Sequence, residues 1–355
     1  MDDKARLELR KMKKIISIVL ILVMLLASVS AYAGSDVRDY LEYDDMSRKI
    51  VSKRIGDNVT SIDGAEIEFK KLSEGWYIVE ESCTIGKAPA APFTAGGVGI
   101  SGDVHIVIGD EVTLTVLGGF GLDKYQGAEG SLFVHGVENG DCNLVIEGIA
   151  PDKTLAVDAI NYAYGQGLSL DSFTVYGCNV VITAGDGAQG VAPLNADGKD
   201  GYTAVQNTRM NLYNSNVQVI GGNGGDSGAK RSFQGTNNGG NGGSALILSG
   251  VDLLGGTLEL YGGKGGKNLI GSGHDGVSAN AGYGSPIHAD NATVWDPDTG
   301  ESISLDDISS HQSVIIATQD LPVGSMIGAG MPIIVIAGLV VLVAAALAVR
   351  KKAGK

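Results

Sequence analysis

Asn179-Val-Val-Ile-Thr-Ala-Gly-Asp-Gly, Asn216-Val-Gln-Val-Ile-Gly-Gly-Asn-Gly and Thr257-Leu-Glu-Leu-Tyr-Gly-Gly-Lys-Gly are three copies of one phrase, an alternating strand that ends in glycine. Thr113-Leu-Thr-Val-Leu-Gly-Gly and Asn143-Leu-Val-Ile-Glu-Gly fit the same frame. Registered on the first strand position, the copies hold Leu114, Leu144, Val180, Val217, Leu258 and Val294, spaced 30, 36, 37, 41 and 36 residues apart. Two residues on stand Val116, Ile146, Ile182, Val219 and Leu260, while the last copy breaks the pattern with Asp296. Alternate residues of a strand face one side, so each copy offers one apolar row. A single row cannot bury itself; stacked copies can. The reading is all-β: a right-handed parallel β-helix or solenoid with variable, glycine-rich loops at residues 185–201, 221–243 and 262–284.

The residue before each strand is Thr113, Asn143, Asn179, Asn216, Thr257 or Thr293. Asparagine tolerates left-handed backbone, which suits it to a tight turn. Stacked about 4.8 Å apart, the amides of Asn143, Asn179 and Asn216 are expected to bond along the stack as a ladder. Tyr176 and Tyr213 also coincide in this register and are expected to stack.

The ends of the chain carry other information. Basic Lys11, Lys13 and Lys14 precede an apolar run at residues 15–29 that closes on Ala31-Tyr32-Ala33. This is the pattern of a secretory signal cleaved after Ala33, with an uncleaved anchor as the alternative and Met12 as a second candidate start. Residues 326–349 carry no charge and are followed by Arg350-Lys351-Lys352 and Lys355, which predicts one membrane-spanning helix with a cytoplasmic basic tail at 350–355. The expected organisation is a signal peptide (1–33), an N-terminal cap or leader (34–75), the solenoid (76–300), a linker (301–325), the membrane helix and the tail. Val37, Leu41, Tyr43, Met46 and Ile50 give the leader some helical spacing.

The whole chain has a net charge of −14, and residues 15–349 alone carry 16 Lys/Arg against 37 Asp/Glu. So acidic an exterior argues against nucleic acid and anionic glycans as partners.

Leu321-Pro322-Val323-Gly324-Ser325 resembles the wall-sorting signal of Gram-positive surface proteins, Leu-Pro-x-Thr-Gly before an apolar run and a basic tail. Gly324 stands where that signal has threonine, and Ser325 where it has glycine. The departure favours retention in the cell membrane, ectodomain outside, over covalent attachment to the wall.

Gly75-Trp76-Tyr77-Ile78-Val79, Ser101-Gly102-Asp103-Val104-His105-Ile106-Val107-Ile108, Ser131-Leu132-Phe133-Val134-His135-Gly136 and the Gly-Gly-Asn-Gly-Gly runs at 221 and 239 resemble large surface proteins of gut clostridia and their relatives. The resemblance covers residues 75–284. It implies right-handed β-helix repeats and an adhesin-like, carbohydrate-binding role, with a glycan or a host or neighbouring cell surface as partner.

Chemistry is thinner. The run from Gly221 to Asp226 fits half of a calcium-binding nonapeptide, but Ser244 and Lys267 replace the carboxylate in the next runs, and calcium needs several oxygen ligands. Glycine as an unstrained loop former is the preferred account. Asp158, Asp171, Asp186, Asp197 and Asp200 are candidate carboxylates by type, without the recurring pair that glycan hydrolysis needs. His105, His135, His274, His288 and His311 show no metal spacing. The reading is therefore no enzyme, no cofactor and no metal. Its first alternative is a structural spacer without a ligand, and a glycan lyase or hydrolase comes third. Tyr162, Tyr164, Tyr202, Tyr283 and Trp295 are the candidates for stacking on sugar rings, and Trp76 is expected to close the first coil. Cys142 and Cys178 share a repeat position, which leaves two readings: two buried thiols, or a bridge between them with Cys83 free.

Overall fold

Alternation in the sequence becomes alternation in burial. Strands Thr113–Leu117, Asn143–Glu147 and Asn179–Thr183 each bury their second and fourth residues and leave the others partly or fully exposed. The computed structural model describes residues 39–64, 71–86, 97–122, 130–138, 140–149, 165–190, 197–228, 237–269, 273–283 and 286–324. The signal and membrane segments expected at 1–33 and 326–349, the tail, Tyr162, Tyr164 and Asp158 lie outside these residues. No helix among them is long and apolar enough to cross a membrane.

The chain builds a curled, mostly parallel sheet by passing repeatedly through three columns. The first column holds the repeated phrase in the expected register: Leu114 pairs Leu144, Leu144 pairs Val180, Val180 pairs Val217, and Val217 pairs Leu258. It begins one pass earlier than the sequence suggested. Cys83 pairs Leu114 and Ile85 pairs Val116. The second column is only two or three residues wide and runs Val98, Phe120, Leu168, Val205, Leu246, Gly282. The third stacks Val104, Leu132, Phe173, Met210, Val251 and Ile287. The inward rows of all three meet in one continuous core. Parallel neighbours exchange evenly spaced backbone bonds along a column, and the apolar rows supply the burial that no single pass could achieve.

Four expectations fail here. Val294 is not the sixth member of the first column. Strand Ser313–Thr318 inserts antiparallel, so that Ile316 pairs Leu258 on one side and Val294 on the other. This satisfies the open edge of the last pass. The residues expected to be a linker hold that strand and a 3-10 turn, Leu305–Ser310.

The leader is not helical. Asp39–Asp44 and Lys49–Arg54 form an antiparallel hairpin. Its turn is set by Asp44, whose carboxylate accepts from the Ser47 hydroxyl at 2.6 Å and whose carbonyl accepts from Arg48 N–H at 2.8 Å. That hydroxyl holds the Asp44 carboxyl below its ordinary range.

The ladder asparagines are also not the turn residues. The left-handed corner lies two residues earlier, at Gly177 (φ 64°), Asn214 (φ 46°) and Gly255 (φ 89°). Asn143, Asn179 and Asn216 are each paired strand residues.

Candidate functional site

The glycine runs are ordered, and their period is three. Residues 185–190, 221–228 and 262–269 leave the first column; residues 197–202, 237–244 and 273–280 return to the second. Gly187 donates to Asn223 O at 2.7 Å and Gly190 to Asp226 O at 2.9 Å. Gly224 donates to Lys264 O and Ser227 to Lys267 O, at 2.8 and 2.9 Å. Between outgoing and returning segments, Gly222 and Gly225 donate to Tyr202 O and Lys199 O, Gly243 and Gly240 to Gly222 O and Gly225 O, and Gly263 and Gly266 to Gly243 O and Gly240 O. Donors to a given neighbour recur every third residue. This is the period of a polyproline-II-type chain, which makes no bonds within itself and must bond its neighbours. The six segments make a two-layer slab.

Glycine is required by close approach. A Cβ on Gly222 would stand 2.0 Å from Gly185 O, one on Gly240 1.9 Å from Lys199 O, and one on Gly263 1.9 Å from Gly222 O. The loop-former account is corrected accordingly: no residue with a side chain fits between these backbones.

Every third residue points outward and carries its own ladder. Asp186 Oδ1 accepts from Asn223 N–H at 2.7 Å, and Asn223 Oδ1 from Lys264 N–H at 3.0 Å. On the returning layer Asp197 accepts from Asn238 N–H at 2.8 Å and Asn238 from His274 N–H at 3.1 Å. Asp200 accepts from Asn241 N–H at 2.6 Å and Asn241 from Val277 N–H at 3.0 Å. Asp226, the would-be calcium ligand, accepts from Lys267 N–H at 2.7 Å. Of the carboxylates singled out by type, Asp186, Asp197 and Asp200 are thus acceptors for backbone donors of the next segment. Asp171 accepts from a backbone donor of the preceding pass, Gly130 N–H at 2.8 Å. No group of three or more His, Cys, Asp or Glu among the described residues is arranged to hold a metal ion.

A second feature lies on the outer side of the third column. Trp76, His105 and Phe133 are register partners and stack, with ring centroids 4.1 and 4.5 Å apart. His135, Tyr176 and Tyr213 stack likewise at 5.0 and 5.1 Å, and Tyr43 of the hairpin continues the stack on Tyr213 at 4.6 Å. Tyr40 of the hairpin covers Trp76 and His135. Trp76 therefore belongs to this outer cluster, not to the lid of the first coil. The two histidines are coupled: His135 Nδ1 lies 2.9 Å from Leu41 O, and His105 Nδ1 lies 3.1 Å from His135 Nε2. With Nδ1–H on each ring, His105 donates to His135 and His135 donates to the hairpin backbone. Burial pushes His135 down to about 3 and also lowers His105. Burial raises Tyr176 and takes Tyr40 up to about 12.

The asparagine ladder runs along the corner before the first column. Asn216 Nδ2 donates to Asn179 Oδ1 at 3.1 Å and Asn179 Nδ2 meets Asn143 Oδ1 at 3.4 Å. Asn179 Nδ2 also donates to Asp141 Oδ1 at 2.7 Å, and Thr257 Oγ1 donates to Asn216 Oδ1 at 2.9 Å. A shallow opening of about 570 Å3 follows this corner, lined by Asp110, Glu111, Asp141, Asn179 and Asn216. Cys142 and Cys178 lie beneath it, buried, and all three cysteines are free thiols. The Cys142 thiol donates to Gly177 O at 3.3 Å. Burial, with the Cys142 thiol beside it, raises Cys178.

The aromatic candidates among the described residues belong to different elements. Tyr202 is half-buried, its ring against Gly165, where a Cβ would meet it at 2.1 Å. Trp295 is half-buried in the strand that pairs with residues 313–318. Tyr283 belongs to the second column, where its backbone pairs Ile247.

No protein-family model matches this chain, and neither a curated protein nor a solved structure matches it.

Proposed function

We propose that this is a membrane-retained bacterial surface protein of the Gram-positive type. Its ectodomain is a right-handed parallel β-helix that acts by adhesion or glycan binding without catalysis. The observation that carries the reading is the slab. Twelve or more backbone bonds and several outward Asx ladders are spent on holding a flat, two-layer projection of glycine chains away from the coils. Such a projection presents regularly spaced polar side chains. Its carboxylates are occupied by backbone donors, which suits display and does not suit proton transfer. The signal-like residues 1–33 and the apolar run 326–349 support the address, and the acidic exterior supports a neutral partner such as an uncharged glycan. A rigid spacer without a ligand is the second reading, favoured by the engagement of Tyr202 and Trp295 in packing.

The test is a glycan array probed with residues 34–325, alongside turnover assays on the bound sugars. Binding without product release supports adhesion. Silence across the array supports the spacer. Released product overturns both. Extraction completes it: the full chain should pellet with membranes in high salt, and release by muramidase with wall fragments attached would overturn membrane retention.

A further inference from the structure

Residues 319–324, expected to be linker, are part of the fold. Leu321 N–H donates to Asn214 Oδ1 at 2.7 Å, and Asn214 Nδ2 donates to Leu321 O at 2.8 Å. A side-chain amide here imitates a neighbouring peptide group. Asn214 occupies the left-handed corner that glycine fills in the flanking passes, so it is the one corner residue of the three with an amide to offer. Just upstream, Gly255 N–H donates to Thr318 Oγ1 at 2.9 Å, fixing the start of the segment to the last pass. Just downstream, Val323 and Gly324 pair parallel with Ile50 and Val51 and become the third strand of the hairpin sheet. One short stretch therefore joins the last pass, the Asn214 corner and a hairpin from the opposite end of the sequence.

We propose that residues 319–324 are a strap that holds the N-terminal hairpin down over the stacked aromatic column. The strap can open while the coils stay folded. Its hold is two side-chain bonds and a two-residue strand, whereas each pass of the coils buries apolar residues on three columns, so the strap is the weaker unit. The hairpin itself adds Leu41 N–H donating to Gly136 O at 2.9 Å, the His135 contact and the Tyr40 and Tyr43 rings. Loss of the strap leaves these to hold it alone. Tension on, or rearrangement of, the chain beyond Gly324 would then uncover Trp76, His105, Tyr176 and Tyr213.

The experiment uses the full chain with Trp295→Phe, which leaves Trp76 as the sole tryptophan of the two. Asn214→Gly removes the amide and adopts the left-handed corner without strain. Asn214→Asp keeps the acceptor for Leu321 N–H and removes the donor. Amide hydrogen exchange at Leu41, Tyr43 and Ile50 and the emission of Trp76 are followed together. In Asn214→Gly the hairpin amides should exchange about tenfold faster, the scale of one or two lost hydrogen bonds, and Trp76 should shift to the red, with Val180 and Val217 unchanged. Asn214→Asp should fall between. Hairpin exchange and Trp76 emission equal to wild type in both variants overturn the strap. So does loss of protection at Val180 and Val217 along with the hairpin, because the segment would then be part of the coils rather than separable from them.

Discussion

The coils and the glycine slab share one set of offsets but are held by different forces. Asn179 pairs Asn216, and Asn216 pairs Thr257, at separations of 37 and 41 residues. Asp186, Asn223 and Lys264 repeat those separations in the slab. In the coils the period is two, and the inward row of Val180, Val217 and Leu258 is buried to within 1%. In the slab the period is three, the described residues form no apolar row, and glycine backbones approach so closely that carbonyls occupy the space of a Cβ. Burial tolerates exchange among apolar residues of similar volume. Close backbone approach tolerates only glycine. The same helical rise can therefore be sustained by two kinds of packing, with opposite rules for substitution.

The largest expected effect breaks the coil side. Val217→Asp puts an unpaired carboxylate in the core, a change at or beyond about 4 kcal/mol. The melting transition should fall sharply and take the slab with it. A melting point equal to wild type would mean that the column register is wrong. Gly240→Ala strikes the slab, with a methyl 1.9 Å from Lys199 O. Overpacking of this kind costs about 1–3 kcal/mol, and amide exchange should accelerate in residues 197–202, 221–228 and 237–244 while Val116 and Ile146 hold. Loss in both regions together would show that slab and coils are one cooperative unit.

Acid should separate hairpin from coils. Burial favours neutral His135, whose folded value of about 3 lies below the ordinary 6.5. The unfolded or undocked state therefore binds the proton more readily. The contribution is full above about pH 6.5 and is lost progressively as pH falls toward 3. His105 faces it from the neighbouring strand, Lys53 and Tyr40 from the hairpin, and Tyr176 from the next pass. His135→Gln should flatten the pH dependence of hairpin exchange between 6 and 4; an unchanged slope would assign it to other groups.

Smaller effects sharpen the comparison. Asn179→Ala should cost on the order of 1 kcal/mol, the net worth of a hydrogen bond, read as a shift in the denaturation midpoint. Asp200→Asn preserves the acceptor for Asn241 N–H and should stay within about 0.5 kcal/mol, whereas Asp200→Ala should resemble the ladder truncation. At Leu248 the sign reverses. This residue is 61% exposed with φ 51°, at the corner that Asn207 fills one pass earlier with φ 52°. Leu248→Asn should relieve a left-handed conformation that costs a branched apolar residue about 1 kcal/mol or more and should raise the melting point.

The first column was legible in the sequence because its apolar residues alternate over five copies and each copy ends in glycine. The other two columns were less so. The second is only two or three residues wide, too short for alternation to register. The third carries His135, Tyr176 and Tyr213 on its outer side, where Tyr40 and Tyr43 of the hairpin pack on His135 and Tyr213. The hairpin read as weakly helical because Leu41, Tyr43 and Ile50 answer to the aromatic column and to each other across a turn, not to one face. The slab was misread because glycine signals loops when its neighbours vary. The missed signal was the outward residue recurring at every third position in Gly-Gly-Asn-Gly-Gly-Asp, with Asp186, Asn223 and Lys264 in the coil register. The carboxylates could be named only by type, because a sequence does not show which backbone donor a side chain will meet.

Residue-resolved amide hydrogen exchange tests the claim that glycine is packed structure here. The amides of Gly222, Gly225, Gly240, Gly243, Gly263 and Gly266 each donate to a neighbouring segment at 2.7–2.9 Å. The account predicts that all six exchange far more slowly than an open chain, with protection approaching that of Val180 and Val217. Exchange of these six at the rate of an unstructured peptide, with the coil amides still protected, would contradict it and return the glycine runs to ordinary loops.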